Sequence, residues 1–216
     1  MTMTSRCSFA PGSLALLAAL AFVAGCGLDR ATAPTPGMGP TAPTAGRGTT
    51  QSSPDDPTFL MASSSAPAIA NPVIAFWAKK GVDTTVFMYY HARPGHHDST
   101  TFMRFRVRSK SLVTRPDGSL LANGDSLLIT VTLANAAALQ LDFQPSGLQF
   151  SSHDQAVLEM SYGEAAPFGV GNVQALSIWK RESPLDPWLR LSSVVIDGTD
   201  DVQADIAGFT GYAMAY

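Results

Sequence analysis

Hydrophobic and polar residues alternate most cleanly between positions 101 and 108. Met103, Phe105 and Val107 share one parity, and Arg104, Arg106 and Arg108 share the other. An alternation of period two predicts a strand half buried in an antiparallel sheet, because successive side chains point to opposite faces. The rhythm returns at Leu127, Ile129, Val131 and Leu133, and again at Leu139, Leu141 and Phe143. Residues 73–79 and 85–90 read as strands joined by a turn at Lys80-Gly81-Val82-Asp83. Residues 156–162, 175–180, 188–192, 202–206 and 212–216 complete the series. Pro116-Asp117-Gly118, Asn123-Gly124-Asp125 and Pro145-Ser146-Gly147 supply the Pro, Asn and Gly that tight turns demand. No run of ten residues carries a helical period, and residues 134–138 offer at most one helical turn. About ten short strands at this spacing predict an all-β fold, an antiparallel β-sandwich over residues 72–216.

The pattern is different before residue 72. Residues 26–71 are Ala, Thr, Pro, Gly and Ser with few large apolar side chains, so they cannot bury enough surface to offset the entropy of ordering. They are expected to form a disordered linker whose r.m.s. span, for about 45 residues, is roughly 35–40 Å. Phe59-Leu60-Met61 is its one apolar interruption, a short segment suited to docking on the domain. A Thr- and Pro-rich tract of this kind is also open to O-glycosylation.

Residues 13–25 are almost wholly apolar and follow a polar start with one charge, Arg6. Such a segment is the charged and apolar halves of a secretory signal. As a helix it spans roughly 20 Å, short of the ~30 Å hydrocarbon core that a transmembrane helix must cross. It ends in Val23-Ala24-Gly25-Cys26, which resembles the lipobox of bacterial lipoproteins. The resemblance implies cleavage after residue 25, lipid (palmitate among its acyl chains) on Cys26, and a cell-envelope location. Gly27 rather than Asp after the Cys leans toward the outer membrane under the sorting rule that accompanies the motif.

Charge and cysteine content narrow the class further. Net charge is −3, and loss of Arg6 with the leader leaves 13 basic against 17 acidic residues. This mild acidity argues against a nucleic-acid partner, which calls for a basic domain or stripe. The two cysteines are Cys7 and Cys26, so cleavage leaves one thiol and no internal disulfide. A lone thiol is unusual in an exported protein, and lipidation of Cys26 accounts for it.

Two pieces of the domain carry a family resemblance across about residues 102–216. The first is Arg104-Phe105-Arg106-Val107, Ser111-Leu112, Gly124-Asp125 and Ile129-Thr130-Val131. The second runs from Gln144-Pro145-Ser146-Gly147-Leu148-Gln149-Phe150 through Leu158, Tyr162, Trp179 and Trp188 to Gly208-Phe209-Thr210-Gly211-Tyr212-Ala213. Together they are similar to ZU-five-like domains, which implies a β-sandwich serving as a structural or interaction module. The family's one chemistry is self-cleavage at His-Phe-Ser, where a hydroxyl attacks the preceding carbonyl. Here the matching positions are Gly208, Phe209 and Thr210, so the imidazole is missing, and a weak alcohol needs an activating base. His153 is the nearest His preceding them. Anchoring of the closing strand by Phe209 and Tyr212 is the plainer account.

Other constellations are thinner. His91, His96, His97 and Asp98 flank Arg93-Pro94-Gly95, and three imidazoles with a carboxylate suit zinc or copper. His96 and His97 are adjacent, however, and point apart on an extended chain, so a polar hairpin loop is favoured. Asp197-Gly198-Thr199-Asp200-Asp201 suggests a calcium loop, but position twelve is Gly208 rather than Glu, and a turn suffices. The row Arg104, Arg106, Arg108 and Lys110 offers a face to anionic headgroups or an acidic glycan. Cross-strand pairing with some of the acids is the simpler expectation. Trp77, Trp179 and Trp188 are expected in the core, and exposure of one would favour glycan binding. No nucleophile-elbow pattern frames any Ser. The sequence therefore leads to no assigned catalytic, metal or cofactor residue and to one modification site, Cys26. It predicts a non-enzymatic envelope module with the membrane and an envelope protein or glycan as partners. The rival is a self-processing or hydrolytic domain using Thr210 or a His-loop metal.

Overall fold

A computed structural model of the chain describes residues 56–95, 99–166 and 173–216, and every regular element among them longer than a single turn is a strand. In chain order these are β1 (Val73–Lys79), β2 (Thr84–Tyr89), β3 (Thr101–Val107), β4 (Leu112–Thr114), β5 (Ser126–Asn135) and β6 (Gln140–Gln144). They continue with β7 (Gln149–Phe150), β8 (Ala156–Ser161), β9 (Ser177–Arg181), β10 (Leu189–Arg190), β11 (Ser193–Ile196), β12 (Asp201–Ile206) and β13 (Gly211–Ala215). One sheet runs β1-β5-β6-β13-β9-β10 and the other β11-β12-β8-β3-β2, with every pairing antiparallel. A short ribbon of β4 and β7 lies beside them. The fold is an all-β sandwich.

The alternation at β3 sets its orientation. Met103, Phe105 and Val107 are fully buried between the sheets, while Arg104 and Arg106 face water. Phe105 sits at the centre of an aromatic group, with the Phe143 ring 5.0 Å away edge-on and the Phe209 ring at 5.9 Å. Tyr212 meets Phe143 edge-on at 5.4 Å and donates its hydroxyl to the Gly208 carbonyl four residues back. Such a bond ties the entry of β13 to its own strand, as tyrosine corners do in other sandwiches. Turns fall where the sequence signals lie, and Gly81, Gly118, Gly124 and Gly147 all adopt positive φ there.

Three sequence expectations need correction. Residues 56–71, expected within the linker, are laid on the domain, so the domain begins before Pro72. Backbone bonds from Thr58 to Tyr216 and from Leu60 to Met214 lay this segment beside β13, and Leu60 is 1 % exposed. Polar composition misleads here because the segment is held by backbone bonds and a few spaced apolar contacts, with Leu60 in the core, Ile69 against it and Phe59 on Trp188. Residues 134–138 form no helix: Ala134 and Asn135 end β5, and a turn over residues 136–139 follows, in which Asn135 Oδ1 accepts the N–H groups of Ala137 and Ala138 and Leu139 has φ 48°. The single strand expected at 188–192 is replaced by β10, which belongs to one sheet, and β11, which belongs to the other.

Candidate functional site

Two exposed regions stand out, and the register builds both. On the outer face of the five-stranded sheet, Phe87 of β2 opposes Arg104 of β3, which opposes Glu159 of β8, which opposes Gln203 of β12. The next row is Thr85, Arg106, Val157 and Asp205. Side chains on one face of an antiparallel sheet meet along such rows. Arg104 pairs with Glu159, whose residue exposure is only 8 %, and Arg106 pairs with Asp83. Arg108 lies 3.6 Å from Asp154 and 3.3 Å from Asp205. The three guanidiniums and Lys110 thus share the face with four carboxylates, and the basic row carries no net charge. A cleft of about 480 Å³ lies over these residues, with Phe87 at one side stacked on Tyr89 at 5.8 Å. The Arg106 guanidinium and the Ser109 backbone N–H hold the Asp83 carboxyl below the usual carboxylate range.

The second region is β1, at the edge of the six-stranded sheet, where among the described residues its one strand neighbour is β5. Leu133 N–H donates to the Pro72 carbonyl at 2.7 Å and Lys80 N–H to the Asp125 carbonyl at 2.9 Å. Even-numbered residues therefore point their backbone groups toward β5. Because direction alternates along a strand, Val73, Ala75 and Trp77 point their N–H and C=O groups away from it. Their side chains also lie on the exposed face: Val73 is 54 % and Trp77 65 % exposed, with Leu128 of β5, directly opposite Trp77, at 45 %. Sequence reasoning missed this region because both parities of β1 are apolar, so neither declares itself the outer one. The expectation that Trp77 lies in the core is corrected. Trp179 is buried with its indole N–H on the Ala215 carbonyl, and Trp188 packs edge-on against Phe59.

The remaining sequence candidates are not brought together into one site. Cys26 lies outside the described residues, as do His96, His97 and Asp98, while His91 is exposed. Residues 197–200 form a turn, with Asp197 accepting from the Gln174 amide. Among the described residues no group of three His, Cys, Asp or Glu could hold a metal ion. The Thr210 hydroxyl is buried and donates to the Arg181 carbonyl. A Cβ at Gly208 would stand 2.7 Å from the Leu148 carbonyl oxygen, so the backbone has no room there for a larger residue.

The fold and these surfaces define a β-sandwich with a charge-balanced ladder on one face and an open apolar edge on the other sheet. No protein-family model matches the chain, and no curated protein or solved structure matches it either.

Proposed function

We propose that this chain is a lipoprotein of the bacterial cell envelope. It is tethered through lipid on Cys26, in the outer membrane, and its sandwich acts there as a non-catalytic binding or bracing module. The observation that carries the binding role is the β1 edge, where Val73 and Trp77 lie exposed beside backbone groups that meet no second strand among the described residues. Exposed apolar edges of this length are docking sites or aggregation hazards, and natural sheets generally cover or charge them. The two-sheet sandwich is also the architecture that the ZU-five-like resemblance implies. Against self-processing, the Thr210 hydroxyl is spent on the Arg181 carbonyl, and position 208 has no space for an imidazole. Charge balance on the Arg104 face favours a neutral or protein partner over anionic headgroups.

Metabolic labelling with a fatty-acid analogue tests the anchor. Wild type should take label and partition to membranes, and Cys26→Ser should lose both; unchanged label in the variant overturns the anchor. Intact-mass measurement of the same samples tests the module, since a break between Phe209 and Thr210 would mean self-processing. Exposure of Trp77 also favours a second reading, in which an envelope glycan stacks on the indole.

A further inference from the structure

We propose that β1 is a self-association strand, through which two copies of this chain pair antiparallel in the register that sets Trp77 opposite Ala75 of the second copy. The first support is compositional. Val73-Ile74-Ala75-Phe76-Trp77-Ala78 is apolar at both parities, the signature of a strand covered on both faces, yet the strand lies at an open edge. The inner parity is covered by the sandwich, while Val73, Ala75 and Trp77 stay exposed along an edge that has no second strand among the described residues.

The second support is steric. A two-fold axis through Phe76 places each Trp77 over the other copy's Ala75, large against small, and each Val73 against the aliphatic stem of Lys79. The residues brought opposite each other are those whose N–H and C=O groups point away from β5. Ala75 and Trp77 then exchange the paired bonds that the monomer leaves open. Trp77 gains Ala75 of the second copy as a cross-strand neighbour in the same step, beside Leu128 on its own β5.

Charge supplies the third. The one ionised side chain on β1 is Lys79, at its end. The antiparallel register holds the two ammonium groups roughly 20 Å apart along the strand, whereas a parallel one sets them side by side. A charged partner strand finds no charge to match along β1 before Lys79 at its end.

Two strands and their flanking side chains bury less than the ~1,200–2,000 Å² of a stable soluble complex. The pair is therefore weak in dilute solution and is populated when copies are concentrated on a surface. In that respect the proposal rests on the anchored reading; its geometry does not.

The test is cross-linking of the full chain bearing Val73→Cys and Lys79→Cys, reconstituted in phosphatidylcholine vesicles and oxidised. Opposed residues in this register have Cα atoms about 5.5 Å apart, within disulfide reach. Within one chain the same positions lie roughly 20 Å apart. A covalent dimer should form that the parent lipoprotein does not give, since its leader with Cys7 is removed and its Cys26 is acylated. Adding Ala75→Arg, at an exposed position, should abolish it while leaving the thermal midpoint in place. Absence of the dimer with both thiols still open to maleimide overturns the proposal, as does a dimer indifferent to Ala75→Arg. If Cys26→Ser keeps its fatty-acid label while concentrated protein still cross-links, the anchored reading fails alone. If the label is lost and no cross-link forms on vesicles, the strand proposal fails alone.

Discussion

Both the Arg104 face and the β1 flank meet water, but they treat exposure in opposite ways. On the five-stranded sheet each arginine projecting from β3 has a carboxylate from another part of the chain within reach. The stems of Arg104 and Arg106 lie over β8, where Val157 and Glu159 fall to 9 % and 8 % exposure. That face is closed by its own side chains. On the six-stranded sheet the strand at the edge has no such cover, and its largest side chain is 65 % exposed. A surface whose charges are neutralised internally has little left to offer a charged ligand. A surface with unpaired backbone groups and an uncovered indole retains free energy that only a second molecule can release.

Removing one side of the closed face should do the most damage to the fold. Arg104→Ala leaves the nearly buried Glu159 carboxylate without its guanidinium, and the expected loss is about 1–3 kcal/mol. Adding Glu159→Leu should recover most of it, because removing a stranded charge is cheaper than leaving it. Urea midpoints of the two variants read this directly. An unchanged midpoint in Arg104→Ala would show that the ladder does not brace β3 against β8.

The open edge should behave the other way round. Trp77→Thr removes a large side chain that makes little contact within its own chain, so stability should stay within about 0.5 kcal/mol of wild type. What should fall is association, read as loss of the vesicle cross-link in the Val73→Cys/Lys79→Cys background. A Trp77→Thr protein that unfolds at markedly lower urea would mean that the indole covers its own sheet, and the contrast between the two regions would disappear.

The sequence exposed these regions unequally, for physical reasons. β3 declares its faces because its two parities differ in chemistry, and the Arg row is visible at once. Its partners are not: Asp83 lies 23 residues from Arg106, Glu159 55 from Arg104, and Asp205 97 from Arg108. Only the strand register brings them together. β1 is visible as a strand, yet with apolar residues at both parities nothing local tells the covered face from the open one. The chain from Asp56 to Asn71 reads as linker because composition reports apolar area, whereas backbone bonds to several parts of the domain and the spaced contacts of Phe59, Leu60 and Ile69 order it. Residues 188–196 hid a change of sheet, since a chain that leaves one sheet for the other keeps the same alternation on both sides of the crossing.

The smallest expected effect concerns acid, and it separates the two regions once more. Asp83, in the turn between β1 and β2, has its carboxyl held below the ordinary 3.8 by the Arg106 guanidinium and the Ser109 N–H. A carboxyl whose folded value is depressed contributes stability that is fully present above its unfolded value. That contribution is lost as pH falls through the folded value. The pair is exposed, so the contribution is modest and shrinks with added salt. Thermal midpoints of wild type and Asp83→Asn should therefore differ slightly above pH 4, with wild type higher, and converge as pH drops further. Asn keeps an acceptor for Ser109 but not the charge, so the difference isolates the ion pair. No carboxylate lies on β1, so association through the edge, read as energy transfer between labels at Val73→Cys on vesicles, should hold across the same pH window wherever the domain stays folded. Energy transfer that fades in step with Asp83 protonation would tie the edge to the turn beside it and remove the independence of the two regions.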